Sequence, residues 1–522
     1  MSDSMAPLDR RTLLRLLALS GAGALGMGCG GAPGPITKVP SWVRLEHPQS
    51  EADLVRLVRE ARARGVQLRV RGSLHSVGNA IFTDEHDQNI NVQLDRYNQI
   101  LCWDEQRGQV TVQAGIHLGR DPLNPGSTWE NSLNLQLQER GWALPDLGGI
   151  THQTVGGFLS TGSAGGSLQH DIATAVIKLR IVAGDGNVYE LAPNPADPDD
   201  ANKNWFYAAG VAMGLFGIIS TVTFQCVPTY NIEGEVVTRD ATASGAPALI
   251  YDDGPRGLKE WARSTEYHRA LIWPQRGIDK VEFWAGRRTQ PDPLFKPRPY
   301  EQLAAPLQKI TSAIYKNIDQ QAPPYDEKTY EEMRHVIRLF INDEHTRFRD
   351  YWYRALPMDN GISDTWMPTE FTELFVDLER TGEMMRLLRE HWRGDVRMNR
   401  TGPYTTEVYA ATASPFWMSP SFGRASMRVD FLWFKSGATK PDESFYPQYW
   451  ELLRPLEFRF HWGKHLSPPE SSTGVAYRKA RMGEERWQTW LAMRQHFDPD
   501  QIFVNDYWRK HLGIAPRAIA SR

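Results

Sequence analysis

The chain has 522 residues, 41% of them apolar, with 18 Trp, 18 Tyr and 20 Phe, enough to bury large cores in more than one domain. A formal net charge of −3 argues against nucleic acid as a partner, since no surface is advertised that would track a phosphate backbone. Three cysteines, Cys29, Cys102 and Cys226, include no CxxC pair, which argues against a Cys-built zinc or iron–sulfur site.

The first segment, "DRRTLLRLLALSGAGALGMGCGGAPGP", pairs Arg10 with Arg11 ahead of an apolar run and small residues. It resembles a twin-arginine export signal; the alternative is a plain amphipathic N-terminal helix. The run from Thr12 to Gly28 contains Arg15 and falls short of the about 20 apolar residues a membrane span needs. The expectation is a periplasmic or cell-envelope protein with no stable membrane span in the mature chain. Cys29 could accept a lipid, although Gly26 stands where a lipobox has leucine. Twin-arginine export carries folded proteins, which suits an enzyme that takes up its cofactor before leaving.

"SEADLVRLVREARARG" spaces Leu54, Leu57, Val58 and Ala61 for a helix, with Ser50 and Asp53 as a capping box and Gly65 as the stop. "VQLRV" (66–70) and "QVTVQAG" (109–115) alternate as strands. "VIKLRIVAGDGNVYEL" predicts a hairpin turning at Asp185-Gly186, with Ile177, Leu179 and Ile181 on one face. "GIISTVTFQCV" (217–227) is another alternating strand. Farther on, "KVEFWAG" reads as strand, and the Pro-rich, charged stretch from 291 to 335 predicts an inserted helical segment or lid. "FTELFVDLERTGEMMRLLREHW" (371–392) predicts one amphipathic helix, and strands resume in "RASMRVDFLWF".

Two glycine-rich loops stand out, "RGSLHS" and "LPDLGGITHQTVGGFLSTGSAGGS". Glycine runs let a backbone approach a ligand closely and can turn successive N–H groups inward as a nest for pyrophosphate. Neither loop is a Rossmann GxGxxG or a Walker P-loop, so a nicotinamide domain or an NTPase is poorly supported. Two such loops with Ser and Thr interleaved point to a dinucleotide; two ordinary surface loops are the other reading.

The order "RVRGSLHS", "VTVQAGIHLGR", "LPDLGGITHQTVGGFLSTGS" and "FYAAGVAMGLFGIISTVTF" resembles the FAD-binding domain of the vanillyl-alcohol oxidase superfamily. "TTEVYAATASPFWMSPSFGR", "FRFHWGKH" and "DPDQIFVNDYWRKHLG" resemble its aldonolactone and alditol oxidase branch, typified by D-arabinono-1,4-lactone oxidase. The resemblance runs from about Val39 to Gly513 and is poor near 285–345. It implies an α+β fold: a two-subdomain PCMH-type FAD-binding domain, plus a substrate (cap) domain built on an antiparallel sheet with helices. The boundaries expected are 1–35 for signal and linker, 36–230 for the FAD domain, 231–450 for the cap with its helical insertion, and 451–522 returning to the FAD domain.

By the same resemblance, His75 takes the place of the histidine that bonds the flavin 8α-methyl carbon, tethering FAD and raising its reduction potential. A neutral imidazole is a competent nucleophile for that bond. The alternative is a loop histidine that only contacts the flavin, and Leu74 replaces the usual glycine beside it. Arg71, Gly72, Ser73, Leu74 and Ser76 flank this position. Gly156, Gly157, Thr161, Gly162, Ser163, Gly165 and Gly166 are the expected pyrophosphate contacts, with Ile219 pairing the nucleotide through its backbone. Alanine at 164 replaces a family histidine.

On the substrate side the resemblance makes Lys464 of "HWGK" the group that stabilises the reduced ring or holds the substrate hydroxyl; a pKa depressed by burial would let it take the hydroxyl proton. A surface lysine is the other reading. Glu407 occupies the glutamate of a family Glu-x-Arg pair, but Tyr409 stands at the arginine, and Leu432 replaces a threonine. His461 is a second polar contact or a packing residue. The implied protein is an exported flavoenzyme that oxidises a CH–OH carbon of a sugar-like lactone, polyol or related alcohol and passes electrons to oxygen or to a quinone or cytochrome. A sterol- or cytokinin-like bulky substrate on the same scaffold, or a non-catalytic flavin-binding envelope protein, are the alternatives.

Overall fold

The structure, a computed structural model, describes residues 39–300, 305–318, 323–435 and 439–516. The twin-arginine stretch and Cys29 lie outside the described residues. Among the described residues no helix is long and apolar enough to cross a membrane.

Strand β1 (Leu45–Glu46) leads into helix α1 (Glu51–Arg64). Ser50 and Asp53 form the expected capping box, and Gly65 closes the helix at φ 65°. Leu54, Leu57, Val58 and Ala61 are buried against a small parallel sheet of order β1-β3-β2, with β2 at Leu68–Arg71 and β3 at Ile90–Gln93. A second, antiparallel sheet holds β4 (Ile100–Asp104), β5 (Gln109–Gln113), β6 (Val176–Ala183), β7 (Val188–Leu191) and β8 (Gly217–Gln225), in the order β4-β5-β8-β6-β7. The β6–β7 hairpin turns at Asp185-Gly186, but its inner face does not alternate cleanly. The register shifts twice within β6, so Ile177 is only half-buried while Leu179 and Ile181 are fully inside.

From residue 231 one eight-stranded antiparallel sheet dominates. Its strands are β9 (Asn231–Asp240), β10 (Tyr267–Trp273), β11 (Lys280–Thr289), β12 (Thr346–Tyr351), β13 (Thr369–Asp377), β14 (Thr406–Ala411), β15 (Ser426–Phe434) and β16 (Arg459–Phe460). The spatial order is β12-β9-β11-β10-β14-β15-β13-β16. Helices α2 (Ala305–Ile318) and α3 (Glu327–Arg338) make up the insertion, and α3 buries Tyr330, Met333, Val336 and Ile337 in a satellite core with Trp273 and Phe434.

One expectation is corrected. "FTELFVD" does not begin a helix; it is β13, and the helix, α4, starts only at Thr381 and ends at Trp392. Thr372, Leu374 and Val376 point to one face and Phe371, Glu373 and Phe375 to the other, a two-residue period that pairing with β15 selects over the helical one. The fold is thus the α+β arrangement expected, two smaller sheets in the first region followed by one large antiparallel sheet. The chain end lies back on the first region: Leu68 donates to the Ile502 carbonyl at 2.8 Å, Arg69 to the Phe503 carbonyl at 2.9 Å, and Asn505 to the carbonyls of Asn79 and Phe82 at 2.7 Å.

Candidate active site

The first glycine loop leaves β2 at Arg71. Leu74 sits at φ 64°, the left-handed region, which costs a residue with a Cβ about 1–2 kcal/mol. That turn holds the His75 side chain, 12% exposed, at the wall of a cavity. Gly72 is where this loop meets the second one: a Cβ there would lie 2.5 Å from Thr154 Oγ1 and 3.6 Å from the Gly157 Cα. Thr154 in turn caps the short helix Val155–Ser160 by accepting from the Gly157 N–H. Between the loops runs a narrow groove of about 90 Å³ walled by Gly72, Ser73, Gly156, Gly157, Thr161 and Ile219. Arg71 lines it too, with its guanidinium donating to Gln93 and to its own neighbour's carbonyl, Gly72 O.

Three glycines expected at the pyrophosphate stand apart from the groove. Gly162 (φ 74°) packs on Pro420, Gly165 leaves room for Asp146, and Gly166 admits the His268 carbonyl, which a Cβ would meet at 2.4 Å. Their bare Cα atoms make way for protein: Gly166 seats the loop on the cap sheet, and Gly165 folds it against its own Asp146.

The groove opens into a cavity of about 880 Å³, inside the size range of small-molecule sites; Leu74, His75, Ser76, His461 and Lys464 wall both. One feature of the lining fits FAD. The Ser73 hydroxyl is buried in the groove without a hydrogen-bond partner among the described residues, a donor and acceptor that would suit a polar chain threaded between the loops. The wide cavity beyond His75 is the part that would take a flat ring system. His75 Nε2 lies 3.9 Å from Asp364 Oδ2, which also stands 3.4 Å from His152 Nδ1.

The floor of the cavity is one face of the eight-stranded sheet, and strand register sorts its side chains into rows. Glu282, Leu271, Glu407, Asp430 and Glu373 are successive cross-strand partners. In the next row Trp284 pairs with Arg269, and Tyr409 with Arg428; the pairing of Ala270 with Val408 sets Arg269 beside Tyr409. A row of carboxyl groups therefore faces a row holding two arginines. Tyr409 occupies the arginine position of the expected pair, yet a guanidinium flanks it on each side, and Arg428 lies 3.5 Å above its ring.

Arg269 Nη1 donates to Asp359 at 2.6 Å and to Glu407 at 3.4 Å. Burial opposes the charge on Arg269, and Asp359, Glu407 and Glu282 together outweigh it and hold the group cationic. Burial and the neighbouring Asp359 push the Glu407 carboxyl up to about 7. Glu373 is opposed by burial too, but Arg428 keeps it below the usual carboxylate range.

The "HWGK" turn closes the site. Val77 donates to the Gly463 carbonyl at 2.9 Å, and Lys464 Nζ donates to the His75 carbonyl at 3.1 Å while lying 4.0 Å over the Phe371 ring. His461 Nδ1 accepts the Gly463 N–H at 3.1 Å, so its own proton sits on Nε2, 3.2 Å from Ser163 Oγ. Burial brings its pKa down to about 4, which keeps the ring neutral. Sequence reasoning overlooked Glu373, Arg428, Asp430, Arg269, His152 and Asp364. Only the alternation within "SMRVDFLWF" hinted that charged residues point inward, and nothing local said which strands would be neighbours.

Residues 222–511 match the family described as D-arabinono-1,4-lactone oxidase, and residues 44–120 and 122–192 match the family described as FAD binding domain. The chain is 32% identical over 467 residues to L-gulonolactone oxidase of Mus musculus, covering 89% of this chain and 93% of that one. It is 23% identical over 490 residues to L-gulono-1,4-lactone dehydrogenase of Mycobacterium tuberculosis, covering 92% and 98%. Cholesterol oxidase from B. sterolicum superposes with a TM-score of 0.66 at 15% identity over 90% of this chain and 94% of that one, a likeness of fold.

Proposed function

This chain belongs to the D-arabinono-1,4-lactone oxidase family and is an FAD-dependent oxidoreductase acting on CH–OH donors, and from that premise we propose that it oxidises a sugar-derived lactone in the cavity between His75, Glu407 and Lys464. The observation that carries the reading is the 3.1 Å bond from Lys464 to the His75 carbonyl, which brings the "HWGK" turn onto the first glycine loop at the mouth of the groove. Bound FAD supplies the two-electron acceptor for the hydride of the substrate carbon.

The chain's own groups do the rest. Glu407 takes the hydroxyl proton, because a carboxyl raised to about 7 is matched to proton transfer near neutral pH. Arg269 orients that carboxylate. Lys464 places a positive charge at the cavity wall, where negative charge gathers as the substrate is oxidised. Neutral His461 fixes Ser163 of the second loop. His75 anchors the cofactor covalently, with Asp364 and His152 beside it to hold the ring and its proton. Twin-arginine export delivers the loaded protein to the periplasm or envelope, and oxygen or a quinone or cytochrome takes the electrons.

The test uses one preparation. Flavin fluorescence in the band of an acid-denatured gel reports the His75 bond, and its loss in His75→Ala assigns it. Anaerobic bleaching by L-gulono-1,4-lactone or D-arabinono-1,4-lactone reports the activity. A second reading, a bulkier alcohol, draws on Trp273, Trp284, Tyr300, Phe340 and Leu432, apolar side chains that line the same cavity of about 880 Å³. Bleaching by a monohydroxylated apolar alcohol and by neither lactone would establish it instead.

A further inference from the structure

Arg269 on β10 serves two carboxyl groups with one nitrogen. Its Nη1 lies 2.6 Å from Asp359 Oδ1 and 3.4 Å from Glu407 Oε1, so the short bond goes to Asp359 and the base assigned above receives the long one. A third carboxyl group, that of Glu282 on β11, stands 4.0 Å from Nη2. Strand register fixes Arg269 and Glu407 relative to each other, since Ala270 pairs with Val408 and Leu271 with Glu407. Asp359 lies on neither strand, and how Arg269 is shared depends on where Asp359 is held.

The second glycine loop holds it. The Asp359 N–H donates to the Gly149 carbonyl at 2.8 Å. The Asn360 side chain accepts the Thr151 N–H and donates to Thr151 Oγ1, each at 2.8 Å. A Cβ on Gly149 would stand 2.9 Å from Asp359 Oδ2 and 3.9 Å from the Cγ of the same carboxyl, and would meet nothing else within 4 Å beyond its chain neighbours. The bare Cα leaves room for that carboxylate beside Arg269.

The other charged and titratable groups around Glu407 are Arg428 and Asp430 on β15, Glu373 on β13 and the Tyr404 hydroxyl just ahead of β14. Lys464 acts on Glu373 and Asp430 from the "HWGK" turn. A substitution at 359 leaves all of these in place.

We propose that Asp359 is a positioning residue: by drawing Arg269 toward itself, it keeps Glu407 out of a full ion pair and so free to take the proton of the substrate hydroxyl. A carboxylate clamped by a guanidinium is a poor base, because the pairing that favours its charged form is given up when the proton arrives. Asp359 loosens the clamp in two ways. It takes the shorter of the two Nη1 bonds, and it stands as a like charge near Glu407. Burial raises the Glu407 carboxyl most, and the charge of Asp359 next. Asp359 itself exchanges no proton and touches no reacting atom; it acts through Arg269 and Glu407. This role rests on the functional reading above and deepens it by naming the residue that sets how its base is held.

The test is the pH profile of kcat/KM for L-gulono-1,4-lactone, measured on FAD-loaded parent and variants. Asp359→Asn keeps the shape of the side chain and an acceptor for Arg269 but removes the charge. The midpoint of the acid limb should fall by about one pH unit or more, because the guanidinium then turns to Glu407. Above the limb the rate should drop about threefold or more, because the base is weaker. FAD content and melting temperature report the fold; a residue that only braced the loop would change these two and leave the midpoint alone. Gly149→Ala displaces the same carboxylate without removing it and should shift the midpoint in the same direction, so it carries the test if Asp359→Asn fails to fold. A midpoint that Asp359→Asn leaves unchanged or raises would overturn the role of Asp359 alone, as would the same result in Gly149→Ala where only that variant folds. A parent enzyme with no acid limb, or one that no aldonolactone bleaches, would bring down the functional reading and the role of Asp359 with it.

Discussion

Lys464 Nζ donates to the main-chain carbonyl of His75 at 3.1 Å, a bond between residues 389 apart in the chain. It ties the "HWGK" turn to the first glycine loop.

Lys464→Met should therefore keep its fold and its FAD, since the Val77–Gly463 backbone bond still joins the two segments. Removing the charge should slow anaerobic flavin reduction by about 100-fold or more, the scale of losing one electrostatic group at a reacting centre. Stopped-flow bleaching measures it, and a rate near that of the parent would remove Lys464 from the chemistry.

Leu74 is a leucine in a left-handed conformation. Leu74→Gly should leave stability unchanged or raise it by about 1 kcal/mol, because relief of the Cβ clash competes with the greater freedom glycine has when unfolded. Leu74→Val should lower stability, since a β-branched side chain tolerates positive φ worst. Urea denaturation of the two variants separates them, and stabilisation by valine would contradict the backbone argument.

Gly72→Ala should empty the flavin site. Its Cβ would stand 2.5 Å from Thr154 Oγ1 and would force the two loops apart. Adding Thr154→Ala removes the clashing oxygen and should restore part of the FAD, read as the ratio of visible to ultraviolet absorbance.

The Glu407 carboxyl, raised by burial and by Asp359 to about 7, is protonated in the free enzyme below that pH and ionised above it. If it takes the hydroxyl proton, kcat/KM should climb about tenfold per pH unit below 7 and level off above. In Glu407→Gln that acid limb should vanish together with most of the rate. A profile flat from pH 5 to 8 in the parent enzyme would exclude this role.

Arg428 offsets the buried charge of Glu373. Arg428→Met should cost about 3–5 kcal/mol by leaving that carboxylate uncompensated. Combining it with Glu373→Gln should recover most of the loss, because the stranded charge is then gone. Denaturant titration of the two single variants and the double closes the cycle.

The sequence by itself determined the local devices: the Ser50–Asp53 cap on α1, the Asp185-Gly186 turn, the two glycine loops with His75 between Ser73 and Ser76, and the "HWGK" turn. Each is decided by residues within a few positions of one another, through dihedral preference, capping and turn chemistry. Tertiary structure alone decided the floor of the site. Residues 371–377 satisfy a helical pattern as a prefix to α4, and only pairing with β15 made them a strand and turned Glu373 inward. Likewise a guanidinium stands on either side of Tyr409, from Arg269 and Arg428, because register aligns β14 and β15 with β10, a strand from far earlier in the chain. Which side chains become neighbours across a sheet depends on hydrogen bonds between separate segments, and no window of sequence contains both partners.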